Sequence, residues 1–327
     1  MTEANLASGR VAHTVLGPVP VEKLGVVAVH EALLSIIPGA EYAPDITIDR
    51  SEIFEIISAK LIKFREAGGG TVVDSAGMFH GRDLKLYETL ARSTGVNIIA
   101  STGLGPEEML GGYFLTPQTN PPSPWPADKF AALFSKEITE GMVVPRLERR
   151  GKAGLITTIA ATSGMTATEE SLFRAVARTS RDTGVAASIR FGVDAVAELK
   201  ILRDEHLAGD RIIVGGLDRK DAQGAALEVA RLGAYVGIDH VGTEDREGYL
   251  SETERVNLVL ELIDAGFVSR ILLSSNAIGV AKGHADTQVS YDYVLTSFVP
   301  LLKAQAVTDE DINRILVENP RELLAVR

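Results

Sequence analysis

The chain contains no cysteine. Disulfides, zinc–thiolate centres and cysteine nucleophiles are thereby excluded, and the missing thiols fit a reducing compartment. Aromatic residues are scarce, at 6% of the sequence, and no basic patch has aromatics interleaved with it. Positive charge is in the minority: 33 Lys and Arg stand against 44 Asp and Glu, for a net charge of −11. A surface of that sign opposes binding to nucleic acid or to anionic membranes and favours solubility. The longest apolar runs are strand-length, too short for a membrane-spanning helix. Met1 to Arg10 lacks the apolar core of a signal peptide. These absences point to a cytoplasmic protein whose partner is a small molecule, with neither nucleic acid nor membrane involved.

What is present is aliphatic. Hydrophobic residues make up 45% of 327 positions, enough for a large core. Short β-branched runs alternate with amphipathic helical patterns. Strands are expected at Gly25–His30, Gly70–Asp74, Val96–Ser101, Ala153–Ala160, Val185–Arg190, Arg211–Gly216, Ala234–Asp239 and Arg270–Ser275. Most are apolar along nearly their whole length, as parallel strands buried on both faces should be. Between them, Ile53, Ile56, Ile57, Leu61 and Phe64 follow helical spacing. Asp49 with Glu52, Thr166 with Glu169 and Ser251 with Glu254 read as helix starts.

Eight strand–helix units predict an α/β fold of the (β/α)₈ TIM-barrel type. A doubly wound open sheet is the alternative, and no Gly-x-Gly-x-x-Gly follows the first strand to support it. One domain, residues 1–327, is expected, with residues 1–24 supplying a hairpin that closes the barrel bottom. Two connections at the C-terminal ends of strands are long, the proline-rich Thr102–Pro126 and Asn276–Val289. Barrels place their active sites on that face, so both read as pocket walls or lids, with a subunit contact as the other reading.

Several stretches resemble one known family. Thr14-Val15-Leu16-Gly17 leads to Leu24-Gly25 and then to Val29-His30-Glu31-Ala32-Leu33. Thr71-Val72-Val73-Asp74 leads to Gly81-Arg82-Asp83, to Leu90-Ala91, to Thr94 through Ile99, and on to Thr102-Gly103. Lys152 through Ile156, Glu169-Glu170, Thr183-Gly184-Val185, Gly237-Ile238-Asp239 and Glu318-Asn319-Pro320 follow in order. Together these are similar to the phosphotriesterase and phosphotriesterase-like lactonase family of the amidohydrolase superfamily, over nearly the whole chain. The resemblance implies a barrel and a hydrolase. It also implies a pair of divalent metals, held by four histidines, a carboxylated lysine and an aspartate. Carried onto this chain, the first histidine is His30 and the second falls at Ala32. The lysine falls at Thr157, the third histidine at Arg190, the fourth at Gly216 and the aspartate at Asn276. Family members are commonly dimers, so a homodimer is implied as well.

The replacements have separate consequences. Alanine and glycine offer no ligand. Thr157 cannot form a carbamate, and Asn276 cannot take a proton as an aspartate would. Arg190 brings a permanent positive charge and no lone pair for a metal. No cofactor and no metal ligand set is therefore expected. The candidate catalytic residues are His30, Asp74, Arg190 and Asp239. His30 points inward if the strand alternates, and acts as acid or base or stays as a hydrogen-bonded relic. Asp74 orients His30 or Arg190. Arg190 stabilises negative charge or only pairs with a buried carboxylate such as Asp74 or Asp239. His240, Asn276 and Thr157 are candidate substrate contacts; the resemblance puts a substrate-side arginine at the position of His240. Asp239 and His240 are adjacent on a strand, so only one should face the pocket. Glu31 should face the helix layer. Ser274 and Ser275 could supply a hydroxyl, but no Ser-His-Asp set can be read from the sequence.

The first reading is a metal-independent enzyme acting on a small carbonyl-bearing or anionic substrate. Lactone or ester hydrolysis, ring opening, elimination and isomerisation all remain open. A pseudoenzyme that keeps the barrel as a ligand-binding or partner subunit is the second. A metallohydrolase with a rebuilt single-metal site using His30, Asp239 or His240 is the third.

Overall fold

The computed structural model describes residues 9–40, 43–78, 80–110, 123–144, 148–222, 224–243 and 246–327. The chain opens with a hairpin, β1 (Val11–Thr14) and β2 (Gly17–Pro20). Then come β3 (Val26–Ile36), α1 (Arg50–Glu66), β4 (Gly69–Asp74), α2 (Leu84–Thr94), β5 (Asn97–Leu104) and α3 (Ala127–Thr139). A short hairpin, β6 (Met142–Val144) and β7 (Glu148–Arg150), precedes β8 (Leu155–Ile159), α4 (Ala167–Thr183), β9 (Ala187–Arg190) and α5 (Ala195–Asp204). The chain continues through β10 (Ile212–Gly215), α6 (Ala225–Arg231), β11 (Tyr235–Ile238), α7 (Glu252–Asp264), β12 (Ile271–Leu273) and β13 (Ile278–Lys282). The last helices are α8 (Val299–Ala304), α9 (Asp309–Asn313) and α10 (Asn319–Leu324). Among the described residues, no helix is long and apolar enough to cross a membrane.

The parallel sheet runs β12-β11-β10-β9-β8-β5-β4-β3-β13. Its two end strands are halves of one strand, the eighth of a (β/α)₈ barrel. β12 pairs with β11, and β13 pairs with β3 in the register Ile278↔Ala32 to Lys282↔Ile36. The segment Asn276–Val289 is thus not all loop, because half the barrel seam lies within it. Of the other long connection, residues 111–122 lie outside the described residues.

Two buried clusters separate inside from outside. Val27, Val29, Val73, Ile99, Leu155, Ala186, Ile213, Tyr235 and Leu272 fill the barrel interior toward the N-terminal ends of the strands. Ala12, Val21 and Leu24 from the N-terminal segment and Leu323, Leu324 and Ala325 from the C-terminus pack onto that end. The N-terminal hairpin is anchored there by Val15 N–H donating to Ile98 O at 2.9 Å and Val326 N–H to Val11 O at 2.8 Å. The other face of the strands packs against the helices. Apolar burial on this scale, at about 25 cal/mol per Å², is the dominant favourable contribution to folding.

The helix starts seen in the sequence are real caps. Thr166 with Glu169 and Ser251 with Glu254 form capping boxes, and Asp49 accepts from the Ser51 and Glu52 backbone. The family-like Gly81-Arg82-Asp83 also has structural work. Arg82 forms a bidentate pair with Glu137 at 2.6 and 2.9 Å, and Asp83 caps α2. Asn319 Nδ2 donates to Val268 O and Ile271 O, both at 2.8 Å, tying α10 to the foot of β12.

Glu31 holds the seam. Its carboxyl accepts from Ser275 N–H at 3.1 Å and Ala277 N–H at 2.5 Å, where the eighth strand breaks. Burial pushes this carboxyl up to about 8, against the two backbone donors and with the Asp239 charge adding to the rise. A folded-state value above the unfolded one means stability that is full below the ordinary carboxylate range and lost as pH rises through about 8. The urea midpoint should therefore fall between pH 6 and pH 9, and this slope should flatten in Glu31→Gln. Equal slopes in the two proteins would contradict the assignment.

Candidate active site

The site begins with an irregularity. Val27 and Val29 both belong to the barrel interior, so unbroken alternation would turn His30 outward. The pairing of β3 with β4 shifts register between Ala28 and Glu31. This bulge re-aims the strand and puts the His30 ring inside. The inward position expected for His30 is therefore reached, but through the bulge and not through simple alternation. Ser274 Oγ accepts from His30 N–H at 2.9 Å and fixes the backbone at that point.

Both ring nitrogens of His30 are engaged. Nδ1 lies 2.7 Å from Asp239 Oδ1, and Nε2 lies 2.5 Å from Ser188 Oγ. The Nδ1 contact is close, although its angle falls short of a well-formed hydrogen bond. Two unprotonated lone pairs at that distance would repel, so the proton of the neutral ring belongs on Nδ1. That leaves the Nε2 lone pair facing the Ser188 hydroxyl. Asp239 is itself anchored, since its Oδ2 accepts from Gly216 N–H at 2.7 Å. Burial alone would raise the Asp239 carboxyl. The adjoining His30 ring and the Arg190 charge outweigh burial and hold it below the usual carboxylate range. Gly215 makes room for this pair. A Cβ there would overlap Asp239 Oδ2 and come within 2.9 Å of His30 Cε1.

Arg190 stands two residues after Ser188 on the same face of β9, closer to the mouth. One terminal nitrogen donates to Asn276 Oδ1 at 3.2 Å. Asn276 adopts a positive φ of 47°, a conformation asparagine tolerates better than most residues. Thr157 sits beside Ser188 in the register of β8 with β9. His30, Thr157, Ser188, Arg190 and Asn276 line one cavity of about 550 Å³ at the C-terminal ends of the strands, a size suited to a small molecule. Its rim includes His80, Met109, Glu108 and Arg246. His80 Nε2 lies 3.2 Å from Gly105 O, and His284 Nε2 lies 2.8 Å from Ser35 Oγ. Another hollow, about 510 Å³, is lined by Arg50, Arg82 and Asp83. Its charges are spent on ion pairs and a helix cap.

Two expected site residues lie elsewhere. Asp74 does not orient His30 or Arg190. It accepts from Leu33 N–H and Tyr87 Oη–H, both at 2.8 Å, and ties β3 to α2. The bulge in β3 gives the orienting role to Asp239. His240 is not a cavity residue, because its neighbour Asp239 takes the inward position. Its Nδ1 lies 2.9 Å from Asp218 Oδ1, and its ring packs 4.2 Å from that of Tyr249. Asp218 also accepts from Arg255 Nε at 2.9 Å, and Arg255 pairs with Glu252 at 2.6 Å, all of it buried behind the strand ends.

Ser188 escaped the sequence reading. The available signal was its spacing, two residues before Arg190 on a strand whose alternate residues face inward. Ser274, considered instead, holds the His30 backbone. Among the described residues, no group of three or more His, Cys, Asp or Glu side chains converges where it could hold a metal ion.

Comparison with known proteins sets this site in a family. Residues 10–324 match the Phosphotriesterase family. A phosphotriesterase homology protein of Escherichia coli (strain K12) is 26% identical, covering 91% of this chain and 97% of that protein. An N-acetyltaurine hydrolase of Xenopus tropicalis is 24% identical, covering 98% of this chain and 99% of that one. A solved structure from the molecular engineering of organophosphate hydrolysis activity from a weak promiscuous lactonase template superposes with a TM-score of 0.84. It shares 21% identity and covers 96% of this chain and 100% of that chain.

Proposed function

Because this chain belongs to the phosphotriesterase family, we propose that it hydrolyses a small carbonyl-bearing acyl compound with a histidine base in place of a binuclear metal centre. The observation that carries this reading is His30, set between Asp239 and Ser188 at the floor of the cavity. Asp239 fixes the tautomer and compensates the charge the ring acquires on taking a proton. Arg190, with its guanidinium steadied by Asn276, faces negative charge developing on the carbonyl oxygen.

The donor set does not fit the family's metals. Of the six positions carried over, only His30 keeps a ligand of the family's kind, and both its ring nitrogens are engaged. Ala32, Thr157, Arg190, Gly216 and Asn276 stand at the others. A guanidinium repels a cation by about 4 kcal/mol per unit charge at ~4 Å and moderate dielectric. A rebuilt single-metal site fares no better, because His240 turns to Asp218 and not toward His30. The relatives' names, an N-acetyltaurine hydrolase and a lactonase template, support acyl compounds as the substrate class: esters, lactones or N-acyl amines.

The reading is tested with Arg190→Met on an aryl ester and a lactone. Loss of one preorganised donor to a developing oxyanion lowers kcat by about 10²–10³-fold, with KM little changed. Unchanged kcat with a raised KM would assign Arg190 to ground-state binding. Ligand binding without turnover by the wild-type protein would favour a binding protein instead.

A further inference from the structure

We propose that Ser188 is the nucleophile of this site and carries the acyl group covalently between two half-reactions; this rests on the hydrolase reading above. The geometry has three parts, drawn from three strand ends. Ser188 Oγ lies 2.5 Å from His30 Nε2, and His30 Nδ1 lies 2.7 Å from Asp239 Oδ1. This is the order of groups that activates a serine hydroxyl: nucleophile, base and orienting carboxylate. It is reached here on parallel barrel strands whose sequence order is His, Ser, Asp. Ser188 is 2% exposed, yet it lines the cavity floor. Arg190 is the next inward residue on the same strand, so positive charge stands one step above the nucleophile, toward the incoming carbonyl.

In the first half-reaction, Ser188 Oγ bonds to the acyl carbon and its proton passes to His30 Nε2. The carbonyl electron pair moves to oxygen, beside Arg190. When that pair returns, the bond to the leaving oxygen or nitrogen breaks, and the leaving group takes the proton from His30. In the second, a water gives a proton to His30 and bonds to the acyl carbon. The Ser188 Oγ–carbon bond then breaks, Oγ recovers the proton, and a carboxylic acid leaves. One water is consumed and the enzyme is regenerated. Asp239 touches no reacting atom and is a positioning residue. A serine that merely anchored the imidazole would occupy the same place without bonding to the substrate, and the test separates the two.

The full chain is incubated with a fluorophosphonate probe and analysed by intact mass and peptide mapping. In parallel, rapid mixing with p-nitrophenyl acetate follows nitrophenolate release. The expected results are one phosphonyl adduct per chain on Ser188 and a stoichiometric burst before steady turnover. In Ser188→Ala the adduct and the burst are absent, and turnover falls by at least on the order of 10³-fold. Because mapping is done on the wild-type chain, the outcome does not depend on how the variant folds. Steady hydrolysis with no adduct on Ser188 and no burst would overturn the proposal while leaving His30 as base toward water. Absence of both hydrolysis and adduct would overturn it together with the hydrolase reading.

Discussion

His30→Ala is expected to lower kcat on an acyl substrate by about 10²–10⁴-fold, the usual contribution of a positioned acid–base group. The imidazole lines the cavity and has the Asp239 carboxylate 2.7 Å behind it. Removing it leaves Asp239 Oδ1 without its partner at 2.7 Å, although Oδ2 keeps the Gly216 N–H. The alanine protein therefore loses stability as well, and kcat must be compared at a temperature where circular dichroism shows both proteins folded. His30→Asn separates the effects. Its side-chain amide can still donate toward Asp239 but cannot shuttle a proton, so stability should recover further than kcat. If His30→Asn retained wild-type kcat, the base would have to be another group.

The second large effect is on stability. Asp218→Ala is expected to cost about 3–5 kcal/mol in urea unfolding, the usual penalty for stripping one partner from a buried ion pair. Arg255 is fully buried, and Asp218 accepts from its Nε, from the His240 ring and from the His240 backbone, each at 2.9 Å. Burial opposes the Asp218 charge, but His240 and Arg255 outweigh it and hold the carboxyl far below its ordinary range. A depressed folded-state value means stability present above the ordinary carboxylate range and lost as pH falls below it. Wild type should accordingly lose more stability than the variant as pH falls from about 4 to about 2. The effect reaches the site through the backbone, because Asp218 also accepts from Asp239 N–H at 3.4 Å. A loss under 1 kcal/mol would show that Asp218 carries little of the packing.

The barrel was legible because its strands are buried on both faces and read as apolar runs with caps between them. Seven of those runs lie within a few residues of strands in the structure. The exception is instructive. β3 runs on to Ile36 and β13 lies within an apparent loop, because Glu31 and the Asn276 turn break the eighth strand and carry its pairing across the seam. Side-chain direction was legible only where alternation holds. Arg190 and Thr157 follow it and meet Asn276, from the turn after β12, in one cavity. At β3 a register shift decides the matter, and no residue type announces it. Asp74 and Asp239 look alike in sequence, each ending an apolar strand. Tyr87 and the Leu33 backbone claim the first, and His30 claims the second. Ser188 was hidden because serine is common in strands and acquires meaning only from the imidazole beside it.

The central claim is hydrolysis through His30 without a divalent cation. It is tested most directly by measuring the metal content of the purified chain and its turnover of an aryl ester before and after exhaustive chelation. The account predicts zinc, manganese and cobalt well below one per chain, with turnover unchanged by the chelator. A stoichiometric metal, with turnover lost on chelation and restored by adding that metal back, would contradict it.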